Sequence, residues 1–499
     1  MSDRRWTHAA LALALLWGVG PALPPLLRGE LLGHGLTDLY TSVWGLWHFA
    51  EAGPGLPERT ALLGFPDGMG FYFASPLKGW LAIPLLPMFG LAGTFNLLTV
   101  LARVGTVLAA YGAGRAWGLK GPGALAAAAV YACSPFFHGY AVEGIVEGTD
   151  GWTLALWAWA AGRRRHGLAA LALCATVVSS WYLGMAGCLL VLFATLRDRG
   201  AMLAFGGLIL AAPALGRFLA AFPETAPLEP AVRLAMGASP GFWRPGVLPG
   251  LQPFAITAFI GASTIGLAAW GRSPLALLAL VPAVLSTGWG PWYDLPVFEL
   301  VRFPYRWHAA TLAVLALAAG RGVDRLPRLA GIAAPLIVLE GILLSPVEPM
   351  IPGADPSHPE ILQHVSGPVL DVPGPRAVAP GAPDPTRRRT RYLLYDQAAH
   401  GQPSPWRPGF NRVGTGASEP GPTDPFVAWD RLVTPTGAPP PLASDAVAGL
   451  ARAGIQTIVL HKTELGTPRL DALHEQLVRQ GATPVANDGS RWLLSVPPR

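Results

Sequence analysis

Asp38 is the side chain in this sequence best placed for acid–base chemistry. It lies just past an apolar stretch, residues 6–27, and opens an amphipathic run, 39–50. A carboxylate within hydrogen-bond reach of an acceptor hydroxyl can take its proton as a new bond forms. The competing role is architectural: Thr37 and Asp38 precede the run, and Asp is a favoured helix N-cap. Glu143 and Glu147 are four residues apart, so a helix would set them on one face. With Asp150 they could offer oxygen ligands to a divalent cation, Mg or Mn. The same three acids could instead line a solvated loop.

Cations and aromatic residues form a second group. Arg302 and Arg306 frame Phe303, Pro304 and Tyr305. A guanidinium there can grip a phosphate through paired hydrogen bonds, or snorkel from an aromatic belt. Arg217 and Lys78 are further cations that could face a phosphate. Trp181 and Tyr182 could form a sugar or lipid platform, or anchor a helix at the membrane interface. Glu340 lies within an apolar stretch, where an ionisable group is a functional hypothesis by default; a hydrogen bond to a neighbouring helix is the other option. No HExxH, Walker A, GxSxG or strand-to-helix GxGxxG motif occurs, so ATP-driven transport and serine hydrolase chemistry lack support.

These groups must be positioned by a membrane protein. Only 13% of the 499 residues are charged, against about 25% in soluble domains, and 52% are apolar. The net charge of +6 comes from short Lys/Arg clusters between apolar stretches, which set topology rather than bind nucleic acid. Cys133, Cys174 and Cys188 all fall inside apolar stretches and form no disulfide or CxxC pattern. No small-residue cleavage site follows the first stretch, so it reads as a retained helix.

Apolar length and charge predict about 11 spans, since a spanning helix needs roughly 20 mostly apolar residues and shorter stretches are placed by flanking charge. Arg4 and Arg5 put the N-terminus inside. The first outer loop is 28–75. Residues 76–89, interrupted by Pro84 and Pro87, read as an interfacial or re-entrant piece. The spans that follow are 91–116, 122–137, 152–161, 168–181, 185–196, 203–222, 254–270, 275–286, 307–319 and 332–344. Every turn assigned to the inner side carries Lys or Arg. Asp38, Glu51, Asp67, Glu143, Glu147, Asp150, Asp294, Glu299, Arg302 and Arg306 then share the outer side. The expected domains are a membrane domain, 1–346, and a small α/β domain, 347–499. In the latter, 446–453, a Gly454 stop and 455–461 read as helix and buried strand, 470–480 as a helix and 491–496 as a final strand. Residues 373–387 and 414–425 read as turn-rich linkers.

The chain resembles the GT-C-fold membrane glycosyltransferases, the bacterial polytopic type with an outer C-terminal domain. Four passages carry the likeness. They are Thr37-Asp38-Leu39-Tyr40 with Trp44, Trp47, Phe65-Pro66-Asp67-Gly68 and Ser75-Pro76-Leu77; Ser179-Ser180-Trp181-Tyr182-Leu183-Gly184; Val301-Arg302-Phe303-Pro304-Tyr305-Arg306; and Tyr392-Leu393-Leu394-Tyr395-Asp396-Gln397 with His400-Gly401-Gln402-Pro403 and Asn411-Arg412. The resemblance implies that Asp38 matches the catalytic or metal-binding acid of the first outer loop. It implies a second acid among Glu143, Glu147 and Asp150, and a polyprenyl-phosphate-sugar donor. A DxD-like pair is lacking, which leaves a metal open.

The expectation is therefore an inverting glycosyl transfer at the outer face of a bacterial inner membrane, to an envelope glycan, lipid or protein acceptor. Asp38 would be the base. Arg302, Arg306 and Arg217 would face the phosphate, and Trp181, Tyr182, Tyr305 and His400 the substrate. Two other classes remain: a transporter or lipid flippase, and a non-catalytic scaffold for envelope assembly in which Asp38 is only a helix cap.

Overall fold

Each long apolar stretch folds as helix and breaks where Gly or Pro interrupts it. The computed structural model describes residues 3–35, 37–56, 59–70, 73–221, 234, 257–295, 298, 301, 303–372, 385–406, 429, 442–462 and 467–498. Helix α1 (Asp3–Gly18) is followed, after a turn at Gly20 and Pro21, by α2 (Leu23–Leu27). The amphipathic run is α3 (Leu39–Glu51), with Leu39, Val43, Trp44, Leu46 and Phe49 fully buried. Helix α4 (Pro76–Ala116) is interrupted at Gly90, whose φ of 66° no ordinary helical residue adopts. The expected piece 76–89 and the expected span 91–116 are thus two helical segments joined at one glycine.

The remaining helices fall on the expected apolar stretches, with differences: 122–137 and 275–286 are each broken in two, the helix expected at 254–270 begins only at Ala262 although 257–261 are described, and that expected at 307–319 runs on to Arg325. They are α5 (Gly121–Ala132), α6 (Pro135–Val142), α7 (Gly151–Gly162), α8 (His166–Ser179), α9 (Trp181–Thr195), α10 (Gly206–Ala221), α11 (Ala262–Trp270), α12 (Leu275–Leu278), α13 (Leu280–Ser286), α14 (His308–Arg325) and α15 (Ala333–Leu344). Among the described residues, Arg4–Leu27, Pro76–Ala116 and Arg199–Ala220 are long and apolar enough to cross a membrane, and α5 with α6, bent by 42°, makes a fourth. The core is built largely of alanine: Ala124 and Ala126–Ala129 of α5 pack with Ala309, Ala310, Ala318 and Ala319 of α14. Small residues let membrane helices approach closely, which is how they associate without a hydrophobic driving force. At the crossing, a Cβ on Gly123 would fall 2.5 Å from the Gly320 carbonyl oxygen.

The turns assigned to the inner side gather at one end. The Lys120 amide donates to Asp324 at 2.8 Å, Trp117 Nε1 to the Ala158 carbonyl at 2.8 Å, and Arg321 Nη1 to Ser273 Oγ at 2.6 Å. Arg197 lies 5.0 Å over the Trp117 ring. The acidic loops lie at the other ends of the same helices.

Two intramembrane ionisable residues cap helices. Arg103 donates to the carbonyls of Trp17 (2.6 Å) and Gly18 (3.3 Å), the electronegative end of α1. Glu340 accepts from the Ala262 amide (2.5 Å), the Ser263 amide (3.0 Å) and the Ser263 hydroxyl, the N-terminus of α11. The hydrogen-bond option for Glu340 is the one observed.

Beyond α15 the chain builds a four-stranded sheet from β5 (Val369–Val372), β6 (Thr457–His461), β7 (Thr483–Asn487) and β8 (Arg491–Ser495). The short strands β1 (Leu31–Leu32), β2 (Arg59–Thr60), β3 (Met69–Gly70) and β4 (Gly353–Ala354) precede it. The sheet order is β5-β6-β8-β7, with β5 and β6 parallel and the rest antiparallel. Helix α16 (Pro385–His400) precedes α17 (Ala446–Arg452) and α18 (Thr467–Arg479). Val447, Leu450, Leu473 and Leu477 of the last two pack with Leu370, Ile458, Leu460 and Leu494 of the sheet. The expected linker at 373–387 needs correction, because residues 385–387 begin α16; 373–384 and 414–425 lie outside the described residues.

Candidate functional site

The loop at residues 28–75 is clamped between the helices and the C-terminal segment. Strand β1 pairs antiparallel with β4, and β2 with β3. Gln397 of α16 accepts from Trp44 Nε1 at 3.0 Å and donates to the carbonyls of Leu62 (2.7 Å) and Gln402 (2.9 Å). Tyr395 stacks against Tyr40 at 4.9 Å. The first and fourth passages of the sequence resemblance are therefore packed on each other, with α3 between.

Asp38 occupies the N-cap position of α3, yet its side chain makes no capping hydrogen bond. It is half-buried. Its neighbour Thr37 is fully buried, with its hydroxyl 2.7 Å from the carbonyls of both His34 and Glu143. The His34 amide donates to the Val142 carbonyl at 2.8 Å, and the Val146 amide to Ser42 Oγ at 3.3 Å. The loop after α2 and the segment after α6 thus lie backbone to backbone. This contact requires glycine: at Gly144, φ is +65° and a Cβ would fall 2.7 Å from the Leu39 side chain.

Residues 143–150 form a hub in which each acid has its own surroundings. Glu143 is buried, with its carbonyl at Thr37. Glu147 pairs with Arg306 at 3.2 Å. Asp150 pairs with Lys78 at 3.2 Å, both almost fully buried, and also accepts from Ser75 Oγ (3.2 Å) and Trp152 Nε1 (3.2 Å). Lys78 Nζ further donates to the Val146 carbonyl at 2.7 Å and to the Thr149 hydroxyl. Lys78 is thereby engaged by protein groups on several sides, and Asp150 holds a buried cation. The expected metal trio is not gathered: among the described residues no three His, Cys, Asp or Glu side chains converge as a metal-holding group.

Arg306 is the centre of an aromatic box. Its guanidinium lies 4.0 Å from the Tyr182 ring centroid, 4.8 Å from Phe303 and 5.6 Å from Tyr140. Rings within about 6 Å attract a cation through their quadrupoles. Its Nε–H is buried with no acceptor among the described residues. The Trp181 ring lies 3.8 Å from that of Tyr182 and 4.9 Å from that of Phe218 in α10, where the next residue back, Arg217, is exposed. The Phe303 ring lies 5.9 Å from that of buried Tyr305. Trp181, Tyr182, Phe303, Tyr305, Arg306 and Glu147 are therefore one contiguous band, joined through residues 143–147 to the loop of Asp38.

Other expected residues fall elsewhere. His400 ends α16; its Nδ1 accepts from the Gln402 amide at 3.0 Å, and burial pushes its pKa down to about 4, so the ring is a neutral turn-maker. Asp67 is exposed in the β2–β3 turn, and Asp294 is exposed after α13. Arg302, Glu299, Asn411 and Arg412 lie outside the described residues. The sequence reading missed Gln397 as the clamp on Trp44. Its signal was present, because Gln397 lies inside a quoted passage beside Trp-rich α3.

No protein-family model matches the chain, and no curated protein aligns with it. Solved structures do. The arabinofuranosyltransferase AftD from Mycobacteria superposes over 100% of this chain with a TM-score of 0.60 at 16% identity. This chain spans 40% of that one. An oligosaccharyltransferase from Archaeoglobus fulgidus (TM-score 0.44, 13% identity, 99% of this chain and 74% of that) and ArnT from Cupriavidus metallidurans (0.39, 14%, 99% and 98%) overlap more loosely. The chain therefore shares the fold of AftD, a GT-C fold as its sequence passages suggested.

Proposed function

We propose that this protein transfers a sugar from a polyprenyl-phosphate donor to an envelope acceptor at the outer face of a bacterial inner membrane. About 11 spans, an inward N-terminus and an outward C-terminal α/β domain are part of the reading, and the positive-inside rule supports them. Asp38 deprotonates the acceptor hydroxyl. The acceptor oxygen bonds to the anomeric carbon with inversion, the bond from that carbon to the phosphate oxygen breaks, and lipid phosphate leaves. Arg306 meets the developing phosphate charge with preorganised donors, aided by Arg302 and Arg217. Trp181 and Tyr182 give the sugar or the lipid an aromatic wall. A divalent cation near Glu143 remains part of the proposal, with Glu147 and Asp150 as further oxygen donors once released from their pairs.

The observation that carries this reading is the placement of Asp38. It opens α3, half-buried, beside the segment whose far end holds Arg306. The transporter reading loses its motive, since Arg103 and Glu340 are engaged as helix caps. The test is Asp38→Asn, assayed in membranes with a polyprenyl-phosphate sugar. Transfer should fall by at least about a hundredfold, as expected for loss of a general base, while the protein inserts and unfolds like the parent. Retained transfer removes Asp38 from the mechanism.

A further inference from the structure

The end of the protein opposite Asp38 carries a cavity that the proposed reaction does not use. Trp6 of α1 packs on Gly121, where a Cβ would fall 2.4 Å from the indole. Arg5 lies 4.6 Å over the same ring. The α4–α5 turn brings Arg115 and Lys120 to the other side. Between them opens a cavity of about 560 Å³, walled by Trp6, Arg115, Leu119, Lys120 and Pro122. That volume lies within the range of small-molecule sites, about 300–1,000 Å³.

The charge balance of this cavity favours an anion. The ionisable side chains in its wall are both cationic. The nearby carboxylate of Asp324 accepts the Lys120 backbone amide at 2.8 Å and offsets part of the charge of Lys120 and Arg115, two cations against one anion. Further cations gather at the same end, where Arg197 and Arg325 both lie near Arg321. Trp6 adds a second requirement. An indole half-exposed at the rim of an apolar bundle is the chemistry of the lipid headgroup level. Basic pockets at that level attract lipid phosphates.

We propose that this cavity binds the phosphodiester headgroup of an anionic membrane lipid. Arg115 and Lys120 flank the phosphate, and Trp6 lies against the glycerol. The assignment is independent of the chemistry at the opposite end.

The test uses the full chain in a neutral detergent, with native mass spectrometry as readout. The probes are dihexanoyl phosphatidylglycerol, dihexanoyl phosphatidylcholine and inorganic phosphate. The parent should bind phosphatidylglycerol in preference to the other two. The double variant Arg115→Gln/Lys120→Gln should bind it about 30-fold more weakly, because each cation near an anionic surface contributes about fivefold. Arg163→Gln/Arg164→Gln, on a different turn of the same basic end, should change binding less than about threefold by the same reasoning. Equal losses in both double variants would reduce the effect to overall charge and overturn the site. Equal binding of phosphatidylcholine would overturn the anion preference, and displacement by inorganic phosphate at matched concentration would overturn the lipid source. Thermal unfolding of both double variants confirms that each is folded.

Discussion

Removing the Asp150 carboxylate should destabilise the protein far more than a surface change would. Asp150 is 1% exposed and Lys78 3%, with their charges 3.2 Å apart. In Asp150→Asn the ammonium stays buried and its counter-charge is gone. Ser75 and Trp152 also lose an ionised acceptor. Breaking a buried pair by removing one partner costs about 3–5 kcal/mol. The remaining donations of Lys78 to the Val146 carbonyl and the Thr149 hydroxyl keep the expected loss at the lower end, about 3 kcal/mol. Adding Lys78→Met removes the uncompensated charge and should recover most of that loss, leaving a coupling of about 2 kcal/mol between the two sites. The assay is equilibrium unfolding of the full chain in mixed detergent micelles, run beside sugar transfer in membranes. Should Asp150→Asn unfold within about 1 kcal/mol of the parent while transfer is lost, the carboxylate serves a ligand or a metal, and the ion-pair reasoning fails.

Three further outcomes follow from the same geometry. Arg306→Lys keeps the charge but loses the planar fork that fits both phosphate and the three rings; transfer should fall at least about tenfold, and equal activity of Arg306→Lys and parent would remove Arg306 from phosphate binding. Gly144→Ala puts a Cβ 2.7 Å from the Leu39 side chain at a φ of +65°, which should cost about 1–3 kcal/mol and raise hydrogen exchange across residues 33–42; unchanged exchange there would sever the two loops. Burial pushes the Asp396 carboxyl up to about 6 despite Arg491 at 2.9 Å, so the native state binds this proton more tightly than the unfolded chain. Its contribution is fully present below the ordinary carboxylate pKa and is lost as pH rises through about 6. Relative to Asp396→Asn, the parent should therefore gain up to about 3 kcal/mol between pH 7 and pH 4, and a parallel pH dependence of the two in thermal unfolding would refute the shift.

Much of the scaffold was legible because membrane helices announce themselves by composition. The apolar stretches, the basic turns between them and the Gly454 stop were read from residue type alone, and the turns assigned to one side do meet at one end. What failed had a physical reason in each case. Strand β7 is an exposed edge strand containing Pro484 and a register shift, so it shows none of the alternation that marks a half-buried strand. Strand β5 is only Val369–Val372 and abuts a Pro-rich stretch. Helix α16 was hidden by Thr386 through Arg391, a run of polar and basic residues whose helical order comes from the packing of Leu394, Tyr395 and Gln397 on α3 and its neighbours.

The site illustrates a sharper limit. Residue type and spacing located the acids on the right loops, but not what each acid faces. Glu143, Glu147 and Asp150 looked equivalent because local spacing is all a sequence displays. Their partners lie far along the chain: Arg306 is 159 residues from Glu147, and Ser75 is 75 from Asp150. Such pairings are decided by how the helices cross, and at the α5–α14 crossing the close approach is set by Gly123 and Gly320. An acid in a buried loop of this fold therefore needs its cation identified before it is given chemistry. By that standard Asp150 and Glu147 are first of all counter-ions, and Asp38, at the start of α3, is the carboxylate on which the sugar-transfer proposal has to be tested.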